Sequence, residues 1–129
     1  MEVENKLKAM GLELPTPGNP PPGRAGAVQV GNILFVGGHT AGPDHAGKLG
    51  DSITVEKAYE AARGACLSCL ADVKLAIGDL DRVKQVVKVF GMVNALPNFK
   101  QHPSVINGFS DLMVEVFGDK GRGARSAVG

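Results

Sequence analysis

Residues 103–129, PSVINGFSDLMVEVFGDKGRGARSAVG, read as an amphipathic helix that stops at a glycine and is followed by a short strand. Pro103 suits the first helical turn, where its missing N–H has no partner to lose. Val105, Ile106, Phe109, Leu112, Met113, Val116 and Phe117 then recur at three- and four-residue spacing and form a wide apolar stripe. Gly118 ends the helix. Ala124–Gly129 has strand periodicity, with Arg125 and Ala127 on one face and Ala124, Ser126 and Val128 on the other.

Working outward, Val83–Val93 is rich in β-branched residues and is the best candidate for a central strand. Before it, Thr54 can cap and Gly78 can stop a long helix whose Ala58, Ala62, Ala65, Cys69, Val73 and Ala76 share one face. Those small residues would let the helix lie close against a sheet. Ala25–Val30 and Ile33–Gly38 are apolar segments separated by Gly31 and Asn32, the spacing of a two-residue hairpin loop. The order is ββαβαβ, an α+β arrangement with both helices on one sheet face and the other face left for a partner. Upstream, Val3, Leu7 and Met10 suggest a short helix, and PTPGNPPPG (15–23) can be neither helix nor sheet interior. The expected organisation is therefore an N-terminal helix and proline-rich arm over 1–23 and a single domain over 24–129.

Composition narrows the functions. Fourteen Lys and Arg against thirteen Asp and Glu give a net charge of +1, too weak a field to gather a phosphate backbone. With no Trp, one Tyr and five Phe, few ring faces are left to stack on bases, so nucleic acid is disfavoured as a partner. No apolar run approaches the roughly 18 residues of a membrane span, and Met1–Met10 is charged, so a soluble cytoplasmic protein is expected.

The nucleotide-like stretch GPDHAGKL (42–49) fits a phosphate-loop pattern as far as Lys48 and fails at Leu49, which cannot ligate magnesium. An ordinary glycine-rich loop explains it better. Cys66 and Cys69 lie inside a helix, and Cys69 faces its apolar stripe, which favours core packing over redox or zinc chemistry. His39, His45 and His102 lack metal-ligand spacing, so no metal site is assigned. Arg125 stands out as the one charged side chain in a run of small residues. Its planar fork can grip a carboxylate, and an ion pair with Asp or Glu at an edge or subunit contact is the equally weighted alternative.

Three stretches, GNILFVGGH (31–39), TVEKAYEAARGACLSCLADVKLAIGDLDRVKQVVKVFGMV (54–93) and above all VINGFSDLMVEVFGDKGRGARSAVG (105–129), resemble the RidA/YjgF family, also called endoribonuclease L-PSP or translation initiation inhibitor proteins. The likeness runs from about Arg24 to Gly129 and is greatest to a branch whose activity is not assigned. It implies a chorismate-mutase-like fold and a homotrimer with ligand clefts between subunits. It also implies hydrolysis of reactive enamines and imines, such as 2-aminoacrylate, to keto acids and ammonia without a metal or organic cofactor.

The Arg of the family's ARS motif, which clamps the substrate carboxylate, falls on Arg125. Where the family often has Cys this chain has Ala127; the Ser of its SGQ turn falls on Gly37 of Gly37-Gly38-His39, and a Tyr lining the cleft falls on Arg24. Asn107 matches an Asn bordering the site, with a helix-surface amide as the alternative. His39 could move protons, although a hydrogen-bonded loop histidine is favoured. Family members continue into a last strand with a Glu that positions water, whereas this sequence stops at Gly129, so the last strand is expected to be missing and no acid carries over. Imine deamination ranks first, noncatalytic binding of small carboxylates second, and ribonuclease or translation inhibition third.

Overall fold

The computed structural model describes residues 1–129. The Thr54 hydroxyl accepts from the Lys57 N–H at 3.2 Å and opens helix α2 (Val55–Ile77), which Gly78 closes at φ +86°. Helix α3 (His102–Phe117) begins with Pro103 in its first turn and ends at Gly118, φ +66°. The two helices pack along each other. Tyr59 donates to Asp111 at 2.7 Å and Arg63 to Glu115 at 2.8 Å. Each pair lies four residues beyond the last on both helices, so α2 and α3 run in the same direction.

Their approach is set by Gly108. A side chain there would run into the Tyr59 carbonyl oxygen and come within 3.2 Å of the Ala62 methyl. The most buried stripe of α2 is Cys66, Leu70 and Val73, packed with Leu80, Leu112, Met113 and Val116. This shifts the small-residue face expected from the sequence: Ala76 is exposed, Ala62, Ala65 and Cys69 are only partly covered, and Cys66 is the deeper thiol. Large side chains fill the space between helices, while the small ones meet the chain at close crossings.

Helix α1 (Glu2–Ala9) joins this core through Val3 and Leu7. The Asp81 carboxylate accepts from the Glu2 and Val3 backbone N–H groups at 2.8 and 2.9 Å, and Lys74 donates to Glu4 at 2.9 Å. A second cluster, Leu49, Ala58, Val93, Val105 and Ile106, lies toward the start of both long helices.

Strands β1 (Ala27–Val30) and β2 (Ile33–Val36) form an antiparallel hairpin in which Val30 faces Ile33. Gly31 takes φ +59° at the first loop position, where glycine is the residue suited to a tight turn. Strands β3 (Lys88–Met92) and β4 (Ala124–Val128) pair in parallel, with Val89 opposite Arg125 and Gly91 opposite Ala127. The architecture is α+β, but hydrogen bonding divides the single sheet expected from the sequence into two ladders. The hairpin rides on α2, and β3 with β4 rides on α3.

The third strand is also shorter than its β-branched run. Val86 donates to the Lys120 carbonyl at 2.7 Å, but Lys120 lies in the 3-10 turn Gly118–Gly121, which offers no ladder register. Regular pairing begins only at Lys88. On the side away from the helices both ladders are apolar: Val28, Val30, Ile33 and Phe35 on one, and Phe90, Met92 and Val128 on the other, are all exposed. No helix is long and apolar enough to cross a membrane.

Candidate functional site

The parallel register determines which way Arg125 points. On β4, Arg125 and Ala127 face α3, opposite Val89 and Gly91 of β3. Gly91 lets α3 settle on the ladder, since a side chain there would meet Ile106 at 2.5 Å. Ala127 packs beside the Leu49, Val105 and Ile106 cluster. One pleat earlier, the Arg125 Nη1 group donates to Asn107 Oδ1 at 2.7 Å and to Ser110 Oγ at 3.3 Å. Asn107 and Ser110 are three residues apart on α3, hence on one helical face.

Arg125 is half-buried, yet none of the ion pairs within the chain involves it. Its two partners are neutral, so its charge is held in place without being cancelled. A half-buried guanidinium without a counter-ion attracts anions more strongly than an exposed one, because partial desolvation strengthens the electrostatic attraction. Within the chain, the ion pair with Asp or Glu that is the alternative for this residue does not form at the edge. The sequence marks Ser110 only by its three-residue spacing from Asn107.

The other residues carried over from the family lie on the hairpin side. Gly37 extends the hairpin, its N–H donating to the Gly26 carbonyl at 2.8 Å, and Gly38 and Arg24 are exposed. The His39 imidazole turns to α2, where Nε2 lies 3.1 Å from Asp72 Oδ2 with both side chains largely covered. That contact is close, but its alignment falls short of a hydrogen bond. Nothing in the sequence pairs His39 with Asp72, which are 33 positions apart along the chain. Thus Arg125, Asn107 and Ala127 come together, while Gly37, Gly38, His39 and Arg24 do not reach them: no hydrogen bond or ion pair links the two groups.

A cleft of about 160 Å³ beneath Pro15–Gly18 is lined by His39, Ser68 and Asp72, and a larger open depression is lined by Asp44, His45, Glu56, Lys57 and Glu60. Neither includes Arg125. The larger one is lined by charged residues alone and His45, with no hydrophobic side chain, so the geometry at Arg125 is the better guide to chemistry. No group of three or more His, Cys, Asp or Glu side chains is placed to hold a metal ion. Leu49 of the phosphate-loop-like stretch is buried in the second core cluster, where an apolar side chain is required. Burial pushes the Cys69 thiol up to about 11 and the Cys66 thiol higher still, which removes the thiolate that redox or metal chemistry needs.

Fold and site together define a small α+β protein with a charged anchor at the base of its last helix–strand unit. Residues 4–128 match the family described as "YjgF/chorismate_mutase-like, putative endoribonuclease". Protein TCP17 of Trypanosoma cruzi is 40% identical over 132 residues, covering 98% of this chain and 82% of that protein. Among solved structures, a "putative endoribonuclease" from Shewanella oneidensis MR-1 superposes with a TM-score of 0.91 at 33% identity, over 99% of this chain and 87% of the other. The protein Atu1372 of Agrobacterium tumefaciens, described as of unknown function, gives 0.88 at 34% identity, over 99% and 80%. The chain belongs to the YjgF/chorismate-mutase-like family and has its fold. The family match extends upstream of the proline-rich arm and takes in most of α1.

Proposed function

We propose that this protein binds small carboxylate metabolites at Arg125 and hydrolyses reactive enamines and imines of the 2-aminoacrylate type to keto acids and ammonia. The observation that carries this reading is the half-buried Arg125 guanidinium, held by two uncharged side chains and unpaired with any carboxylate of the chain. An enamine first tautomerises to the imine; water then adds to the imine carbon, and the carbon–nitrogen bond breaks to leave a keto acid and ammonia. Such substrates are intrinsically reactive. Holding the carboxylate and setting a water near the imine carbon supplies most of what the reaction needs.

Neither the cleft beneath Pro15–Gly18 nor the larger depression includes Arg125, and both ladders present an apolar outer face. These observations support a homotrimer whose subunits cover those faces and complete the site in a cleft between them. Gly37, Gly38 and Arg24, which flank the other ladder, join that cleft from a neighbouring copy, while His39 stays turned to Asp72 of α2. The two unpaired cysteines agree with a reducing, cytoplasmic setting.

A second reading, noncatalytic binding of the same carboxylates, is favoured by the hydrogen-bond partners of Arg125, which include no acid, imidazole or thiol to activate water. Ribonuclease action, the activity named for the family, ranks third on the near-neutral charge and scarce aromatics. The test generates 2-aminoacrylate from serine with a dehydratase and follows pyruvate release with and without this protein. Acceleration is expected; no acceleration together with measurable pyruvate binding moves the noncatalytic reading to first place.

A further inference from the structure

We infer that Asn107 and Ser110 are positioning residues that fix which edge of Arg125 a ligand meets, so that the site takes a single carboxylate side-on through Nε and Nη2. This rests on the carboxylate reading above and extends it to two residues that need not touch the ligand. A guanidinium has five N–H groups and can meet a carboxylate end-on through its two terminal nitrogens, Nη1 and Nη2, or side-on through the Nε and Nη2 edge. Here both bonds fall on one nitrogen: Nη1 donates to Asn107 Oδ1 at 2.7 Å and to Ser110 Oγ at 3.3 Å. No hydrogen bond within the chain engages Nε or Nη2.

With Nη1 occupied, the end-on approach across both terminal nitrogens loses one of its two donors. The side-on edge keeps both. Because the acceptors are an amide and a hydroxyl, fixing the head removes no charge from it. A carboxylate at position 107 would be better placed to hold the arginine and for that reason would disable the site, since it would take the charge the ligand needs. The amide and the hydroxyl thus give pre-organisation without neutralisation. Both come from consecutive turns of the α3 segment that Gly108 presses against α2, so the positioning groups sit on the rigid part of the fold.

The experiment titrates pyruvate into the intact protein and into Arg125→Ala, Asn107→Ala, Asn107→Asp, Ser110→Ala and Ser110→Thr, with a melting temperature for each. Asn107→Ala and Ser110→Ala should each weaken binding about three- to tenfold, and Ser110→Thr, which keeps the hydroxyl, should restore it. Asn107→Asp should lose tenfold or more while melting no lower than the parent, a split that a merely structural role cannot give. In the parent protein the Arg125 Nε–H proton resonance should move on pyruvate addition, as side-on contact requires. If Asn107→Asp binds pyruvate as tightly as the parent, or the Nε–H resonance stays fixed while pyruvate binds, the positioning role is overturned and the carboxylate reading survives. If Arg125→Ala itself keeps full affinity, both fall.

Discussion

Replacing Gly108 by alanine sets two opposed effects against each other. In an isolated helix the change is favourable by about 1 kcal/mol, because alanine loses less backbone freedom than glycine. Here the new methyl would overlap the Tyr59 carbonyl oxygen of α2 and press on the Ala62 methyl at 3.2 Å. The carbonyl belongs to a helix backbone and has no rotamer through which to escape, so α3 must lift away from α2. Overpacking of this kind costs about 1–3 kcal/mol, with backbone collisions toward the upper end. The net expectation is a loss of about 2 kcal/mol, or roughly 6–10 °C in melting temperature for a chain of this length. Circular dichroism melts of parent and Gly108→Ala measure it. Pyruvate affinity should fall with it, since Asn107 is the adjacent residue and holds Arg125. A melting temperature that rises by the few degrees helix propensity alone would give refutes the close crossing and the rigidity argued for the site.

Three further outcomes are expected. The Met1 ammonium and the Glu2 and Val3 N–H groups hold the Asp81 carboxyl at about 2, below its ordinary 3.8. Its contribution to anchoring α1 is therefore present above about pH 4 and lost as pH falls toward 2; the urea midpoints of the parent and Asp81→Asn should converge over that window, and a constant gap contradicts the assignment. With Cys69 at about 11 and Cys66 higher, an aromatic disulfide reagent at pH 8 should label neither thiol until denaturant is added. Light scattering at micromolar concentration should give about three times the 13.4 kDa chain mass, and Phe35→Asp, at the centre of an exposed apolar ladder, should lower it; a monomer mass for the parent refutes the trimer.

Local chemistry made much of the fold legible in advance. Thr54 and Gly78 bracket α2, Pro103 and Gly118 bracket α3, and the Gly31-Asn32 pair sets the hairpin, because each depends on backbone geometry within a few residues. What could not be read depends on contacts distant in sequence. The Val83–Val87 stretch has strand propensity but faces a 3-10 turn, so pairing starts at Lys88. The deep stripe of α2 adds Cys66 and Leu70 to the expected Val73 because α1 and α3 choose that side, information no periodicity within α2 contains. At the site, strand alternation placed Arg125 and Ala127 on one face. The role of Ser110 depended on helix register against the strand, and the approach of Asp72 to His39 depended on how the hairpin settles on α2.

The most direct test of the central claim is a crystal structure of the intact protein with pyruvate bound. The account predicts the carboxylate of pyruvate on the Nε and Nη2 edge of Arg125, with Nη1 still on Asn107 and Ser110, in a cleft closed by a second copy of the chain. A pyruvate bound elsewhere, or an Arg125 occupied by an Asp or Glu of that second copy, would contradict it and return this arginine to the role of an interface ion pair.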